Sequence, residues 1–492
     1  MRYNIVFQPS GRRGLVSNGK TILQASRELG ADIESPCGGA GKCGKCKVKI
    51  EEGYFNLSPL TEQEKQMLTP EEQADHFRLA CCAEIRGDVL AFIPDQSSGA
   101  RQIILETAEE RDFNLNPTVK KYYVEMERPT LEDYRDDFMR LKEALISCCS
   151  DLKEDLSIDY SALLTLPGIL RKGGWKVTVT LWSDTEIIAV EPGQVEEAYG
   201  IAVDIGTTTI AAYLCDLVTG KVLKRHSMMN SQVRYGDDVI TRISYCMMND
   251  GGLNRLHSII IDDLNTLVAR LSQAAEISQE NIYEMVMVFN TAMHHITLNI
   301  DPRYMGSAPF ASAIRTPVDI KARDLGIKIA GSGNIHCLPV EAGFVGADNV
   351  SVLIAEEPYK QEKMTLVIDI GTNGEIAFGN KECMMSTSCA TGPALEGAQI
   401  KYGMRAAPGA IERVRINRHT YEPECKVIGG ERVKGICGSG IIDSVAELFK
   451  AGIILPDGGF NKKLDCPRIA GVQMERWNMS WRGLPRQQLA RI

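Results

Sequence analysis

A glycine-rich loop that carries three cysteines constrains the amino-terminal part of this chain most strongly. The loop reads S-P-Cys37-G-G-A-G-K-Cys43-G-K-Cys46, and after 34 further residues two adjacent thiols follow at Cys81 and Cys82. Thiols separated almost wholly by Gly, Ala and Lys can close tightly around a small inorganic core, because glycine accepts left-handed backbone conformations. The remaining cysteines of the 15 in the chain are scattered, which is typical of small buried hydrophobes.

The spacing of these thiols indicates the kind of inorganic centre. Plant-type [2Fe–2S] proteins have the pattern C-x4-C-x2-C with a distant fourth cysteine, and here the first gap is five residues. A structural zinc site is the alternative, but it usually needs two C-x2-C pairs. We expect a [2Fe–2S] cluster held by Cys37, Cys43, Cys46 and Cys81. Cys82 is the alternative to Cys81 as the fourth ligand, since only one of these two neighbours can point inward.

The segments around the loop predict a small α+β domain. Tyr3–Phe7 alternates like a strand, and Gly19–Leu29 reads as a turn into an amphipathic helix. Two further strands are expected at Lys47–Ile50 and Asp88–Ile93. We predict an α+β ferredoxin-like (β-grasp) domain over residues 1–96.

A repeated strand–D-I-G-T–strand pattern marks the second half of the chain, and the second copy lies 165 residues after the first. Such a hairpin can hold an aspartate against a Mg²⁺-bound water, while Gly and Thr approach phosphate oxygens without steric block. Two copies favour a duplicated domain that closes on one nucleotide. The residues expected to line this site are Asp204, Gly206, Thr207 and Thr208 in the first copy and Asp369, Gly371, Thr372 and Asn373 in the second.

A third glycine-rich turn, G-I-C-Gly438-Ser439-Gly440, precedes the helical stretch D-S-V-A-E-L-F-K. Glycines there let the backbone lie against an adenosine or phosphate group, and a helix N-terminus favours anions. The pattern is neither a Walker A motif nor a G-x-G-x-x-G motif in a Rossmann setting. We therefore expect Gly438, Ser439 and Gly440 to border a nucleoside.

Between these parts the chain is polar and charge-rich. We expect a linker over residues 97–128 and a small middle domain over 129–199. Thr130 precedes acidic residues and an apolar pattern of helical period, so we predict a helix capped by Thr130.

The three nucleotide motifs resemble the phosphate-1, phosphate-2 and adenosine motifs of the actin, heat-shock-ATPase and sugar-kinase superfamily. Their fusion behind a [2Fe–2S] domain resembles the reductive activators of corrinoid proteins. Segments 290–295, 338–348, 391–398 and 403–412 are similar to that family too, and the resemblance extends to about Leu455. It implies a multidomain chain with an α/β duplicated actin-like ATPase fold over residues 200–492. Because the family pattern ends after Leu464, we expect a C-terminal truncation or a shifted reading frame.

The resemblance also implies a function. The protein would reduce the inactive Co(II) form of a corrinoid (cobalamin) methyl carrier to Co(I), by one electron through the cluster, in a methyltransferase or O-demethylase system. Plant-type clusters have reduction potentials of about −400 mV, and Co(I) is a stronger reductant than such a cluster. Every ~59 mV by which the donor potential lies above that of the Co(II)/Co(I) couple lowers the equilibrium constant for reduction tenfold. ATP can offset this unfavourable equilibrium only if the protein binds the Co(II) and Co(I) states of its partner with different affinities.

The resemblance further implies ATP and Mg²⁺ as cofactors, with Asp204 and Asp369 as water-positioning or metal-positioning acids and Glu396 as an assisting acid. The expected partners are a corrinoid protein and an external low-potential electron donor, and a homodimer stays open. The adjacent His294 and His295 diverge on any regular element, so we expect them to pack or contact a partner rather than bind cobalt.

Three alternatives stay open: an ATP-dependent redox activator of another enzyme such as a dehydratase or reductase, a ferredoxin-fused small-molecule kinase, and a non-enzymatic electron-transfer module. The formal net charge of −9 argues against binding to nucleic acid or anionic membranes. No apolar run reaches the ~18 residues of a membrane span. We therefore expect a soluble, cytoplasmic protein.

Overall fold

The computed structural model describes most of the chain. The described residues are 1–8, 11–31, 33, 35, 39, 41, 43–94, 113–149, 152, 155–236, 238–371, 373–389, 400, 402–404, 406–430, 432–461, 464, 469–471 and 477–479.

The amino-terminal part folds as a five-stranded sheet with a helix packed on it. Its elements are β1 (Arg2–Gln8), β2 (Arg12–Ser17), α1 (Ile22–Leu29), β3 (Lys47–Glu52), α2 (Glu62–Met67), α3 (Pro70–Ala74), β4 (Phe77–Leu79) and β5 (Val89–Phe92). The strand order is β2-β1-β5-β3-β4, and β1 pairs with β5 in parallel. Helix α1 begins at a capping box between Thr21 and Gln24, and its buried Ile22 packs into one core with Ile5 and Val48. The predicted ferredoxin-like fold is confirmed.

A second sheet follows, with two helices on one face. Its elements are β6 (Val119–Glu125), α4 (Asp137–Cys148), β7 (Ser157–Ile158), α5 (Tyr160–Lys172), β8 (Lys176–Trp182) and β9 (Glu186–Pro192), in the order β6-β8-β9-β7. The predicted helix cap at Thr130 is wrong. Asp136 caps α4 by accepting from Met139 N at 2.8 Å, because the Thr130 hydroxyl instead accepts from Asp133 N in a preceding turn.

The third sheet carries the first D-I-G-T hairpin. Its elements are β10 (Tyr199–Ile205), β11 (Thr209–Asp216), β12 (Val222–Met229), α6 (Val239–Met248), α7 (Gly252–Ala275), β13 (Ile282–Phe289), α8 (Thr291–Thr297), β14 (Val318–Lys321), α9 (Ala322–Leu325), β15 (Asn334–Cys337) and α10 (Ala347–Glu356). The order is β12-β11-β10-β13-β15-β14, with β10, β13 and β15 parallel. The long helix α7 buries Ile260, Leu264 and Leu267 in the core of this sheet.

The second D-I-G-T hairpin forms a smaller antiparallel sheet. The remaining elements are β16 (Thr365–Ile370), β17 (Gly374–Gly379), β18 (Met384–Cys389), β19 (Ala410–Ile416), β20 (Pro423–Val427), β21 (Gly435–Ile436), α11 (Gly438–Lys450), β22 (Ile469–Gly471) and β23 (Trp477–Met479). The order β16-β17-β18 repeats the antiparallel arrangement of β10, β11 and β12. The sequence repeat thus corresponds to a structural repeat.

An ion pair and a small apolar core connect the second and third sheets. The Arg323 guanidinium binds both oxygens of Asp159, at 3.0 and 2.9 Å. Val119 and Ile188 share a small apolar core with Tyr283 of β13. Among the described helices, none is both long and apolar enough to cross a bilayer. The four ranges expected from the sequence, 1–96, 97–128, 129–199 and 200–492, stay predictions.

Candidate functional site

The cysteine loop brings two of the predicted cluster ligands together. The Sγ atoms of Cys46 and Cys81 lie 3.3 Å apart. Two thiolates on one tetrahedral metal, each with a metal–sulfur bond of about 2.3 Å, would lie about 3.8 Å apart, so only a small adjustment is needed. Cys43 is part-buried in the same loop, whereas Cys37 lies outside the described residues.

Backbone hydrogen bonds fix the spacing of these two thiols. Ala80 N donates to Cys46 O at 2.8 Å, and Leu23 N donates to Ala80 O at 2.8 Å. The residue before Cys81 is thereby tied both to the loop and to the start of α1. This is the kind of support that a metal ligand needs in order to keep its orientation.

Cys82 also lies against the cluster loop. Its Sγ is 3.6 Å from Cys81 Sγ, and a Cβ added at Gly41 would sit 3.5 Å from Cys82 Sγ. Gly41 has a left-handed φ of 71°. The lack of a side chain therefore permits both this turn and the close approach of the Gly41 backbone to Cys82 Sγ. Burial, followed by the neighbouring Cys81, raises the pKa of the Cys82 thiol to about 12.

The two predicted aspartates face one another across the hairpins, together with two acids that the sequence did not single out. Asp204 and Asp369 occupy equivalent places, one residue before the ends of β10 and β16. Glu375 stands opposite Asp369 in the β16–β17 register. Asp348 lies in the first turn of α10, and its neighbour Asn349 donates to Ser386 Oγ of β18 at 3.3 Å.

These four carboxyl groups affect one another electrostatically. Partial removal from water, reinforced by Asp348 and Asp369, raises the pKa of Asp204 above its usual range, although the residue as a whole is exposed to solvent. Burial raises the pKa of Asp348 to about 6 and that of Glu375 to about 7, with Asp348 and Asp369 adding to the Glu375 shift. Burial also raises the pKa of Asp369. The set would be stabilised by a cation.

The arrangement suits a cation that is held mostly through water and phosphate. Among the described residues, which exclude Cys37 and Glu396, no three His, Cys, Asp or Glu side chains are placed to bind one metal directly. Mg²⁺ usually keeps several waters and takes one or two carboxylates plus substrate phosphates. The carboxyl set therefore fits Mg²⁺ with a nucleotide better than a bare protein cage.

The turn of the first hairpin is held by buried amide side chains. Asn290 Nδ2 donates to Thr207 Oγ1 at 2.9 Å, and Asn230 Nδ2 donates to Gly206 O at 2.9 Å. The fully buried Arg242 donates to Thr207 O. A Cβ at Gly206 would sit 2.7 Å from Thr209 O, so only glycine fits this turn. Thr207 and the adjacent Thr208 are both buried.

The second hairpin turn and the third motif are described in part. Gly371 N donates to Asn373 O at 3.1 Å, and Thr372 and Glu396 lie outside the described residues. Gly438, Ser439 and Gly440 form the first turn of α11, so the helix starts earlier than the predicted D-S-V-A-E-L-F-K stretch. Gly440 O accepts from Ser444 Oγ at 2.7 Å, and a Cβ at Gly440 would sit 2.2 Å from Ile411 O. Among the described hydrogen bonds of this turn, none reaches the carboxyl groups.

The histidine pair is structural. His295 Nε2 accepts from Ala313 N at 2.9 Å, so the proton lies on Nδ1, which donates to Thr291 O at 2.8 Å. Both rings are buried, and burial lowers the pKa of His294 to about 4. Packing, as expected from the sequence, accounts for the pair.

Four family models match successive parts of the chain. They are described as the 2Fe-2S iron-sulfur cluster binding domain (residues 6–86), the RACo linker region (108–197), the RACo middle region (199–361) and the C-terminal domain of RACo, the ASKHA domain (363–483).

A curated relative, the corrinoid activation enzyme RamQ of Eubacterium limosum, is 33% identical over 454 residues, which cover 91% of this chain and 70% of the relative. The chain belongs to the family of corrinoid activation enzymes. A second family member, the [Co(II) methylated amine-specific corrinoid protein] reductase of Methanosarcina barkeri, is 26% identical over 294 residues, or 53% of each chain. The solved structure of a reductive activator for a corrinoid, iron-sulfur protein matches with a TM-score of 0.65 and 34% identity, covering 96% of this corrinoid activation enzyme and 76% of that chain.

Proposed function

We propose that this corrinoid activation enzyme couples ATP to the one-electron reduction of Co(II) to Co(I) in a corrinoid methyl-carrier protein. One structural relationship supports this most directly. The chain holds the Sγ atoms of Cys46 and Cys81 3.3 Å apart in its ferredoxin-like domain. In the same chain, Asp369 of the second D-I-G-T hairpin helps to raise the pKa of Asp204 of the first.

The cysteine loop would receive and pass on the electron. In this proposal Cys37, Cys43, Cys46 and Cys81 hold a [2Fe–2S] cluster, which supplies one electron at low potential. The Cys46 and Cys81 sulfurs are fixed by backbone bonds through Ala80, so their orientation does not depend on the partner. An external low-potential donor would recharge the centre.

The hairpins would bind and hydrolyse ATP with Mg²⁺. Gly206, Thr207 and Thr208 approach the phosphates from the first hairpin, and Gly371, Thr372 and Asn373 from the second. Asp204 and Asp369 hold the water that attacks the terminal phosphorus, and Glu396 assists. A carboxyl group with a pKa raised toward neutrality is suited to accept the proton that this water releases.

The nucleoside would lie beside Gly438, Ser439 and Gly440 at the start of α11. Backbone N–H groups of a helix start favour anionic and polar ligands. Binding energy from the nucleotide can then be used to hold the corrinoid partner differently in its Co(II) and Co(I) states, which is the only way in which ATP can offset the potential gap.

The test is an anaerobic reduction assay with the full chain. The protein, a chemical reductant, Mg·ATP and a corrinoid carrier in its Co(II) form are mixed, and Co(I) is followed by absorbance while phosphate release is measured. We expect Co(I) only when ATP is present, and faster phosphate release with the carrier than without it.

The D204N/D369N double variant is the matched control, because it leaves the cysteine loop unchanged. It should keep the [2Fe–2S] spectrum and yield no Co(I). If the wild-type chain hydrolyses ATP but reduces no corrinoid carrier, the activator of another redox enzyme becomes the better assignment. Phosphorylation of a small molecule would instead favour the kinase.

A further inference from the structure

Lys45 joins the cluster loop to the carboxy-terminal part of the chain. It lies between Cys43 and Cys46, and its Nζ donates to Ile400 O at 3.2 Å and to Gly403 O at 3.1 Å. We call this pair of hydrogen bonds the Lys45 contact. A charged donor bound to two carbonyl groups makes hydrogen bonds stronger than neutral ones.

The far side of the Lys45 contact leads to the start of α11. Ile436 N donates to Tyr402 O at 3.0 Å, and Met404 N donates to Ile436 O at 2.9 Å. A Cβ at Gly435 would sit 2.4 Å from Tyr402 O, so the two backbone segments are already as close as they can be. Residues 402–404 therefore move together with β21, which ends two residues before Gly438.

The ferredoxin-like domain has a second attachment, to the part of the chain that carries the first D-I-G-T hairpin. The Arg27 guanidinium stacks over the Tyr235 ring, 5.7 Å from its centre. Tyr235 ends a short helix whose first residue, Ser231, is bound through N and Oγ to Asp263 of α7 at 2.8 Å. One domain is thus attached to both halves that carry a D-I-G-T hairpin.

These two attachments respond differently when the two halves move. The carboxyl groups of Asp204 and Asp369 repel each other across the halves, and a bound Mg²⁺ would draw them together. A domain attached to both halves strains at least one of the two contacts when their separation changes. A cation–π contact tolerates small shifts, whereas hydrogen bonds already at 3.1 and 3.2 Å are lost after a few tenths of an ångström.

We propose that Lys45 is a nucleotide-sensitive latch: Mg·ATP binding breaks the Lys45 contact and frees the cluster loop from the carboxy-terminal half. This inference rests on the nucleotide site proposed above. Releasing the latch exposes the Cys43–Cys46 segment at the moment when ATP is bound. Electron transfer to a partner is then tied to nucleotide occupancy by a contact within the chain.

Lysine acetylation measures the latch directly in the wild-type holoprotein. The protein is treated with an acetylating reagent, with and without Mg²⁺ and a non-hydrolysable ATP analogue, and the modification of Lys45 is quantified by peptide mass spectrometry. We expect Lys45 to react several-fold faster with the analogue. Lys49 is the internal control, because it pairs with Asp75 of the same domain at 2.7 Å, and its rate should not change.

The K45M variant tests the reverse direction of the coupling. If nucleotide binding must break the Lys45 contact, removing the contact should tighten analogue binding, by up to about tenfold, and by linkage the two effects are reciprocal. K49M should bind as the wild type does, and both variants should keep the [2Fe–2S] spectrum.

The outcomes separate the latch from the nucleotide site. Analogue binding with unchanged Lys45 acetylation overturns the latch alone, even if K45M fails to fold. Equal analogue affinity in a folded K45M also overturns it. If the wild-type chain binds no analogue at all, the proposed function and the latch both fail.

Discussion

Glu64 and Arg78 form a fully buried ion pair beneath the strand that leads to Cys81. Arg78 Nε donates to Glu64 Oε1 at 2.8 Å and Nη2 donates to Oε2 at 3.0 Å, and both side chains are at most 1% exposed. Glu64 Oε1 also accepts from Leu79 N at 3.1 Å. The pair therefore holds α2 against the backbone two residues before a proposed cluster ligand.

Breaking this pair should destabilise the ferredoxin-like domain strongly. R78M leaves the Glu64 carboxylate buried without its cation, which costs about 3–5 kcal/mol. The expected result is a lower urea midpoint for loss of the cluster's visible circular dichroism. K49M, which removes an exposed pair with Asp75, should cost less than about 1 kcal/mol. Equal effects of the two variants would contradict the importance of burial.

The same pair predicts how this domain responds to acid. Burial alone would raise the pKa of Glu64, but hydrogen bonds from Arg78 and Thr61 outweigh it and lower the pKa below the usual value. A lowered native pKa contributes stability that is present above the unfolded pKa of about 4.3 and lost as pH falls through the native value. The urea midpoint of wild type should therefore fall below pH 4, while that of E64Q should change less.

The choice between Cys81 and Cys82 can be decided by single substitutions. Cys81 Sγ lies between the other two sulfurs, 3.3 Å from Cys46 and 3.6 Å from Cys82. We expect C82S to keep a full [2Fe–2S] spectrum and two irons per chain, and C81S to lose most of both. Iron analysis with visible absorbance measures the outcome. A cluster that survives in C81S and is lost in C82S would make Cys82 the ligand.

The carboxyl set predicts an unusual pH dependence without metal. Because burial and mutual repulsion raise the native pKa values of Asp204, Asp348 and Glu375 above their unfolded values, stability is present at low pH and is lost as pH rises through about 6–7. In EDTA, the melting temperature of wild type should therefore fall between pH 5 and pH 8. D204N should reduce this fall. D262N, at an exposed position on α7, should not.

Asn290 offers a way to disturb the phosphate turn without disturbing the helix that follows. Its Oδ1 accepts from Met293 N at 3.0 Å as the cap of α8, while its Nδ2 donates to Thr207 Oγ1. N290D keeps the cap acceptor and loses the donor, and it places a carboxylate beside the phosphate turn, so we expect the α8 cap to persist and ATP binding to weaken by about tenfold or more. N290A should lose both properties. Calorimetric titration with Mg·ATP, together with thermal melts, distinguishes them.

Local patterns predicted the ferredoxin-like part well. Alternation over Tyr3–Phe7 predicted β1, and the turn and amphipathic pattern of Gly19–Leu29 predicted α1. The prediction at Thr130 failed because threonine before acidic residues also forms tight turns, and the real cap, Asp136, lies six residues later. Local sequence does not distinguish the two uses of the same side chain.

The acids missed from the sequence differ in how they could have been found. Glu375 lies opposite Asp369 in a hairpin with a three-residue turn, Gly371–Asn373, so counting the register would have revealed it. Asp348 reaches the site only because Gly346 packs against Asn290, where a Cβ would sit 2.5 Å from the Asn290 Cα. That approach depends on the fold of the whole third sheet, and no spacing in the sequence indicates it.

The two hydrogen bonds between Arg323 and Asp159 restrict where an expression fragment of this enzyme can begin. They couple α5 to α9 across the seam between the second and third sheets, and the apolar contacts of Val119 and Ile188 with Tyr283 lie along the same seam. A fragment that begins at Tyr199 would expose these surfaces and leave Arg323 without its carboxylate. Expression fragments of the ATPase part should therefore begin before Val119 and carry both sheets together.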